Sequence, residues 1–174
     1  MRFIYRYPCL TIILLAICYL LPGISSIPLL DRDEPRFARA TIEMQEKEEW
    51  IIPYFNDEYR FDKPPLTYWW MRLNYEIFGQ NEFSARLHSF IASLITALII
   101  YQISLTLYQK KDNALLSAFI WLTSLQVMIH SRIAVADMIL IASMAFSMWS
   151  MIKILYSENP VKPFSKWFYL LYLS

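Results

Sequence analysis

Apolar residues run along most of this chain in long stretches, and polar residues gather between them. A helix needs about 20 consecutive apolar residues to cross the core of a bilayer. Four stretches reach or approach that length, at about residues 8–24, 84–108, 114–131 and 136–156. The pattern therefore predicts an all-α integral membrane protein built as a multi-span helical bundle.

A fifth apolar run begins at Trp167 and covers 167–174, which is too short to span. It favours the interpretation that residues 1–174 are the N-terminal part of a longer transmembrane domain. A complete four-span protein with an interfacial tail is the alternative. The first run could also be a secretory signal, because Arg2 and Arg6 supply a basic end. Its length and the lack of a clear small-x-small cleavage site favour a retained anchor.

Composition agrees with a membrane protein and excludes several other classes. The chain is 57% hydrophobic with only two glycines, unlike an ordinary soluble domain. The net charge is +1 and basic residues form no run, so no nucleic-acid partner is expected. Cys9 and Cys18 both lie in the first apolar stretch, where neither a disulfide nor a metal site is predicted.

Basic residues between the stretches predict the orientation in the membrane. They cluster before the first stretch, between the second and third, and after the fourth, which is one side of the bilayer if the spans alternate. The residues are Arg2, Arg6, Lys110, Lys111, Lys153, Lys162 and Lys166. Positive charge marks the cytoplasmic side. The N-terminus is therefore predicted inside, and the net acidic loop at about 25–83 outside.

Two short amphipathic helices are predicted in this outer loop. Pro35 suits the first turn of a helix, and apolar positions recur at helical spacing from there to about Lys47. A second helix, rich in aromatic residues, is predicted from Leu66 to Phe78, and Gly79 ends it. Both have the character of helices that lie at a membrane interface.

Four motifs hold the candidate chemistry. They are DEPRFA at 33–38, WIIP at 50–53, YRFDKPP at 59–65 and RIAVAD at 132–137. Each has a structural explanation as well: a carboxylate at 34 favours a helix start, and charged neighbours can form surface or turn ion pairs. His88 and His130 are expected to be satisfied interfacial side chains rather than metal ligands.

Taken in order, these motifs resemble the first outward-facing loop and the following turn of the aminoarabinose lipid A transferases and protein O-mannosyltransferases. Those enzymes have the GT-C fold and use polyprenyl-phosphate sugars. The resemblance covers roughly residues 22–156. It implies an inverting glycosyltransferase on the outer face of the bacterial inner membrane, of which this chain would be a part. The donor would be a polyprenyl-phosphate-linked sugar among membrane lipids, and the acceptor a lipid, a glycan or a protein.

The resemblance also implies roles for particular residues. Catalytic carboxylates would be Asp33, as the base or as the carboxylate that orients the acceptor, with Glu34 and Asp137. Substrate-binding residues would be Lys63, as a phosphate contact, with Arg36, Arg60, Tyr59 and Arg132. Tyr59 belongs to a stretch that reverses the family's usual Arg-Tyr-Phe order. No cofactor is required, although Asp62 would either hold its loop or bind a divalent cation.

Other classes fit the pattern less well. A membrane phosphotransferase or lipid phosphatase needs a dense basic or metal-binding constellation, which the sequence lacks. A small transporter or scaffold subunit stays open as the non-catalytic alternative. Transporters place polar groups and broken helices at the midplane of the membrane, whereas the polar groups of this chain gather at its predicted outer surface.

Overall fold

The computed structural model describes residues 2–30, 32–61, 63–156 and 169, and within them the chain forms eight helices and one two-stranded hairpin. The helices are α1 (Arg2–Arg6), α2 (Pro8–Leu20), α3 (Asp33–Glu46), α4 (Leu66–Phe78), α5 (Glu82–Tyr108), α6 (Lys111–Thr123), α7 (Leu125–His130) and α8 (Asp137–Leu155). The strands are β1 (Tyr54–Phe55) and β2 (Glu58–Tyr59), paired antiparallel. The predicted fifth span falls outside the described residues, apart from Tyr169.

Helix α5 is the centre of the apolar bundle and packs against α2, α4, α6 and α8. Small buried side chains line its contacts, including Ala92 and Ala97 on α5 and Ala114 and Ala118 on α6. Small residues let helix backbones approach closely where the surroundings are apolar. Of the helices in the described ranges, α5 and α8 are long and apolar enough to cross a membrane, whereas α2 has 13 residues.

The predicted third span, at 114–131, is two helices in the structure. Helix α6 ends at Thr123 and α7 begins at Leu125, with Ser124 between them in an extended conformation (φ −66°, ψ 136°). The residue before a helix has a non-helical conformation, as Ser124 does, although the Ser124 side chain makes no capping hydrogen bond. The run carries no charged residue from Ala114 to Ile129, and its hydropathy alone does not predict such a break.

Helices α3 and α4 form a second layer over the first turns of α5. Helix α4 has the predicted bounds, and α3 begins at Asp33, two residues before the predicted start at Pro35. Their contact buries Phe37 and Met44 of α3 against Tyr68 and Met71 of α4. The long loop between α2 and α5 is therefore a folded layer, and its first helix presents residues 33–36 beside the bundle.

The hairpin is fastened to α3 by a buried carboxylate. Asn56 and Asp57, at its turn, have positive φ angles of 55° and 63°, as two-residue hairpin turns require. Glu43 accepts their backbone N–H groups at 3.1 and 3.2 Å. Lys47 donates to the Asp57 carboxylate at 2.8 Å, and this hydrogen bond lowers the pKa of Asp57. The hairpin is thereby fixed to α3, and the segment that contains Lys63 follows it in the chain.

Candidate functional site

A buried ion pair joins the start of α3 to the start of α5. The Arg86 guanidinium donates to both carboxylate oxygens of Glu34, from Nε to Oε1 and from an Nη to Oε2, each at 2.9 Å. The residues Glu34 and Arg86 are 1% and 3% exposed. Glu34 also accepts the backbone N–H groups of Leu30 at 2.7 Å and Ala134 at 2.6 Å. Four donors therefore converge on one carboxylate.

Arg86 binds the chain that follows α2 as well. Its two terminal nitrogens donate to the carbonyl oxygens of Ile24 and Ile27 at 2.8 Å and of Pro28 at 3.0 Å. Residues 21–30 contain no helix or strand longer than a turn, so these carbonyls have no partner within a regular element. The guanidinium supplies the donors they need. We call Glu34, Arg86 and the backbone groups bound to them the buried junction.

The turn between α7 and α8 is attached to the same junction. Ala134 contributes the N–H bound by Glu34, His88 Nε2 lies 3.1 Å from the Val135 carbonyl, and the Ser89 hydroxyl donates to the Ile133 carbonyl at 2.6 Å. Three contacts thus hold a short segment directly before Asp137. Motifs distant in sequence, at 33–38 and at 132–137, meet at one place in the fold.

The two adjacent carboxylates of the first motif have opposite environments. Asp33 is exposed and makes no hydrogen bond or ion pair with another described residue, whereas Glu34 is saturated by four donors. Neither makes a side-chain capping bond at the N-terminus of α3. Each oxygen of Glu34 already accepts two hydrogen bonds in this structure, and the catalytic role of Glu34 stays a prediction. Asp33 is available to solvent and ligand.

The predicted cations divide in the same way. Arg36 and Lys63 are exposed and form no ion pair within the described part of the chain. Arg60 is only 8% exposed and packs its guanidinium over the rings of Phe37 and Phe55, at 5.3 and 5.5 Å from their centroids. This position suits a structural residue of the hairpin rather than the substrate contact predicted for it.

Arg132 and Asp137 do not pair with each other in the structure. The Arg132 guanidinium donates to the carbonyls of Leu20 at 3.0 Å and Tyr19 at 2.7 Å, at the C-terminus of α2. There it satisfies carbonyls that a helix end leaves open. Asp137 begins α8 with its side chain 58% exposed, and its oxygen Oδ2 lies 3.4 Å from His130 Nε2. The Asp137 side chain is thus exposed to solvent. Arg132 caps the C-terminus of α2.

Tyr59 lies on the exposed face of the hairpin. Its ring is 5.2 Å from that of Tyr54 and stacks on Phe61 at 5.8 Å, measured between centroids. Asp62, the predicted metal residue, lies outside the described residues. Within the described ranges, no group of three or more His, Cys, Asp or Glu side chains has the arrangement that could hold a metal ion.

An apolar cavity of about 210 Å³ opens between the start of α4 and helices α5 and α8. Leu66 and Trp70 form its α4 wall, only a few residues after Lys63, and His88 lies at the α5 side. Ile91, Ala92, Ile139 and Phe146 complete most of the apolar lining. The exposed ammonium group of Lys63 therefore lies three residues before Leu66, the first residue in the cavity wall.

Sequence reasoning assigned no role to Arg86, although it organises the junction. A signal was present, because Arg86 is a charged residue within the first turns of a 27-residue apolar helix. Charged groups in such helices are costly and have specific partners. The sequence does not reveal which partner that is.

Comparison with known proteins places these features in a family. The family model described as dolichyl-phosphate-mannose-protein mannosyltransferase matches residues 62–174. An Erwinia tasmaniensis protein named undecaprenyl phosphate-alpha-4-amino-4-deoxy-L-arabinose arabinosyl transferase is 36% identical over 132 residues, which is 76% of this chain and 24% of that protein. The chain spans about a quarter of the length of the curated relatives it matches, 24% to 27% of each.

Solved structures show the same fold. The crystal structure of ArnT from Cupriavidus metallidurans in the apo state matches with a TM-score of 0.85 at 20% identity, covering 94% of this chain and 30% of that one. The structure of the same protein bound to undecaprenyl phosphate matches with a TM-score of 0.76 at 21% identity. Because the family model covers well over half of its residues, the chain belongs to the dolichyl-phosphate-mannose-protein mannosyltransferase family.

Proposed function

We propose that this protein takes part in transferring a sugar from a polyprenyl-phosphate carrier to an acceptor on the outer face of the bacterial inner membrane, with inversion at the anomeric carbon. The acceptor is a lipid such as lipid A, a glycan or a protein. The observation that supports this most is the buried junction. It holds an exposed carboxylate, Asp33, and a second exposed carboxylate, Asp137, on one side of an apolar bundle.

We infer the donor class from what the family description and the name of the Erwinia relative have in common. The family description specifies mannose on dolichyl phosphate, and the Erwinia relative is named for an aminoarabinose on undecaprenyl phosphate. The sugars differ and both carriers are polyprenyl phosphates. A donor of this kind needs a cation for its phosphate and an apolar surface for its chain. Lys63 can provide the cation, and Leu66, three residues later in the chain, lines the apolar cavity.

In the reaction we propose, side chains of this chain act on the acceptor hydroxyl, on the leaving phosphate and on the sugar. The Asp33 carboxylate takes the proton of the acceptor hydroxyl as its oxygen attacks the anomeric carbon. The bond from that carbon to the phosphate oxygen breaks, and the polyprenyl phosphate leaves with the electron pair. Lys63 and Arg36 stabilise the negative charge that builds on the leaving phosphate. Asp137 faces the sugar from the neighbouring turn.

A test of this function is donor kinetics of the full-length protein carrying Lys63→Met, with undecaprenyl-phosphate-linked sugar. Loss of a charged hydrogen bond costs about 1.5–3 kcal/mol, which corresponds to about 10- to 100-fold in kcat/KM for the donor. The acceptor KM should change little, because the lost contact is to phosphate. Lys110→Met, on an exposed lysine outside this site, is the matched control and should behave as wild type. Unchanged donor kinetics in Lys63→Met would reject the phosphate role.

The proposed orientation has its own test. Glu58 is exposed in the hairpin and Asn113 is exposed near the start of α6, so a cysteine at either site should react freely. In a background lacking Cys9 and Cys18, we expect an impermeant thiol reagent to label Glu58→Cys in intact cells. Asn113→Cys should react only after the membrane is opened. The reverse pattern would place the candidate site in the cytoplasm and contradict the orientation.

A further inference from the structure

His130, at the end of α7, lies between two groups that accept hydrogen bonds. Its Nδ1 atom is 3.0 Å from the backbone carbonyl oxygen of Gln126, one turn earlier. Its Nε2 atom is 3.4 Å from Oδ2 of Asp137, the first residue of α8. The imidazole therefore connects the last turn of α7 to the candidate sugar-facing carboxylate across the tight turn that separates the two helices.

The contact between His130 and Asp137 is attractive when Nε2 carries a proton. A carbonyl oxygen only accepts, so Nδ1 carries a hydrogen; an ionised carboxylate also only accepts, so the contact with Asp137 needs a hydrogen on Nε2. The paired form is then an imidazolium beside a carboxylate. When Nε2 loses its proton, its lone pair faces the Asp137 oxygens, and the contact becomes repulsive. The Gln126 side-chain amide, 3.5 Å from Nε2, can then donate to that lone pair instead.

Other charged groups around the pair are engaged elsewhere. A cleft of about 340 Å³ beside it is lined by Trp121, Ser124 and apolar residues of α7 and α8, and His130 and Asp137 are the only titratable residues of that lining. On the α2 side, the Tyr19 hydroxyl donates to Met128 Sδ at 3.4 Å. Arg132 is bound to the α2 carbonyls. Within the described part of the chain, the basic side chain in contact with Asp137 is thus His130.

We propose that His130 is a positioning residue: its protonated ring holds the Asp137 carboxylate in place, and loss of the Nε2 proton releases it. The consequence rests on the proposed function, in which Asp137 faces the sugar. Transfer would then fall at alkaline pH for a reason separate from the base, Asp33. A change in the pH outside the membrane would then alter the site through the protonation of His130.

The pair can be detected without any transfer assay. In the full-length protein labelled with ¹⁵N-histidine, His88 and His130 each give their own set of ring signals. His130→Gln assigns them by removing one set. At a pH where both ring nitrogens of His130 carry protons in the parent, we expect only Nδ1 to carry one in Asp137→Asn, whose amide can donate to Nε2. The same protonation pattern in the parent and in Asp137→Asn would overturn the pairing.

Transfer kinetics across pH then test the consequence. At a pH where the parent ring carries both protons, we expect His130→Gln to lower kcat about 5-fold, the upper range for a partly exposed ion pair, with the donor KM unchanged. His130→Lys keeps a positive charge and should retain transfer at alkaline pH, where the parent loses it. If His130 were purely structural, kcat would fall by the same factor in both variants at every pH. That result would reject the proposal.

The two experiments separate this inference from the proposed function. If the full-length parent transfers no sugar while the ring signals respond to Asp137→Asn, the pair stands and the function fails. If the parent is active and the pH profiles of the parent and His130→Gln coincide, the function stands and the positioning role fails.

Discussion

Replacing Arg86 with methionine is expected to destabilise the fold strongly. Glu34 would keep its negative charge in a buried place, and only the N–H groups of Leu30 and Ala134 would remain to bind it. Removing one partner of a buried pair costs about 3–5 kcal/mol. The carbonyls of residues 24–28 would lose their donor in addition.

The effect can be measured as the melting temperature of the purified protein in mild detergent. For a chain of this size a loss of that magnitude corresponds to a fall on the order of 10 °C. Arg36→Met is the matched control, since Arg36 is an exposed arginine without an ion pair to any described residue, and it should melt as the parent does. Equal melting of Arg86→Met and the parent would show that the junction does not stabilise the fold.

A double variant sharpens the interpretation. Glu34→Gln removes the uncompensated charge that Arg86→Met leaves behind, so adding it to that variant should recover part of the lost stability. The recovery should be incomplete, because Ile24, Ile27 and Pro28 still lack their donor. Additive losses in the double variant would mean that the two side chains do not interact energetically.

Local signals in the sequence predicted the two helices of the long loop well, but not its hairpin. Helix α4 has the predicted bounds because Pro64 and Pro65 exclude a helix before it and Gly79, with φ of +79°, ends it. Helix α3 begins earlier than predicted because a proline is tolerated anywhere in a first turn, where its missing N–H has no partner to lose. The break at Ser124 was missed, since the surrounding run is apolar on both sides.

The sequence could not predict which charged residues are held by contacts within the fold and which stay exposed. Asp33 and Glu34 are neighbours with the same chemistry, and only contacts with distant residues distinguish them. Glu34 meets Arg86 across 52 positions and Ala134 across 100. The burial of Arg60 between two rings and the capping of α2 by Arg132 likewise depend on how the helices pack. Such contacts are properties of the fold, which a local pattern does not contain.

The largest expected effect on activity is that of Asp33→Asn in the full-length protein. Loss of a general base lowers transfer by about 10²–10⁴-fold. Stability should change by less than about 1 kcal/mol, because Asp33 is exposed and its main loss would be a favourable charge at the start of α3. The variant should therefore insert, purify and melt like the parent while its kcat collapses.

Glu34→Gln is the comparison that makes this result decisive, since it makes the same change one residue further along the chain. An amide nitrogen in place of either Glu34 oxygen would face two donors, an Arg86 nitrogen and a backbone N–H, so we expect the melting temperature to fall. Transfer per folded molecule should fall less than in Asp33→Asn. If Asp33→Asn retains wild-type transfer, or if Glu34→Gln abolishes transfer without loss of stability, the assignment of the base to Asp33 and of the junction to Glu34 is wrong.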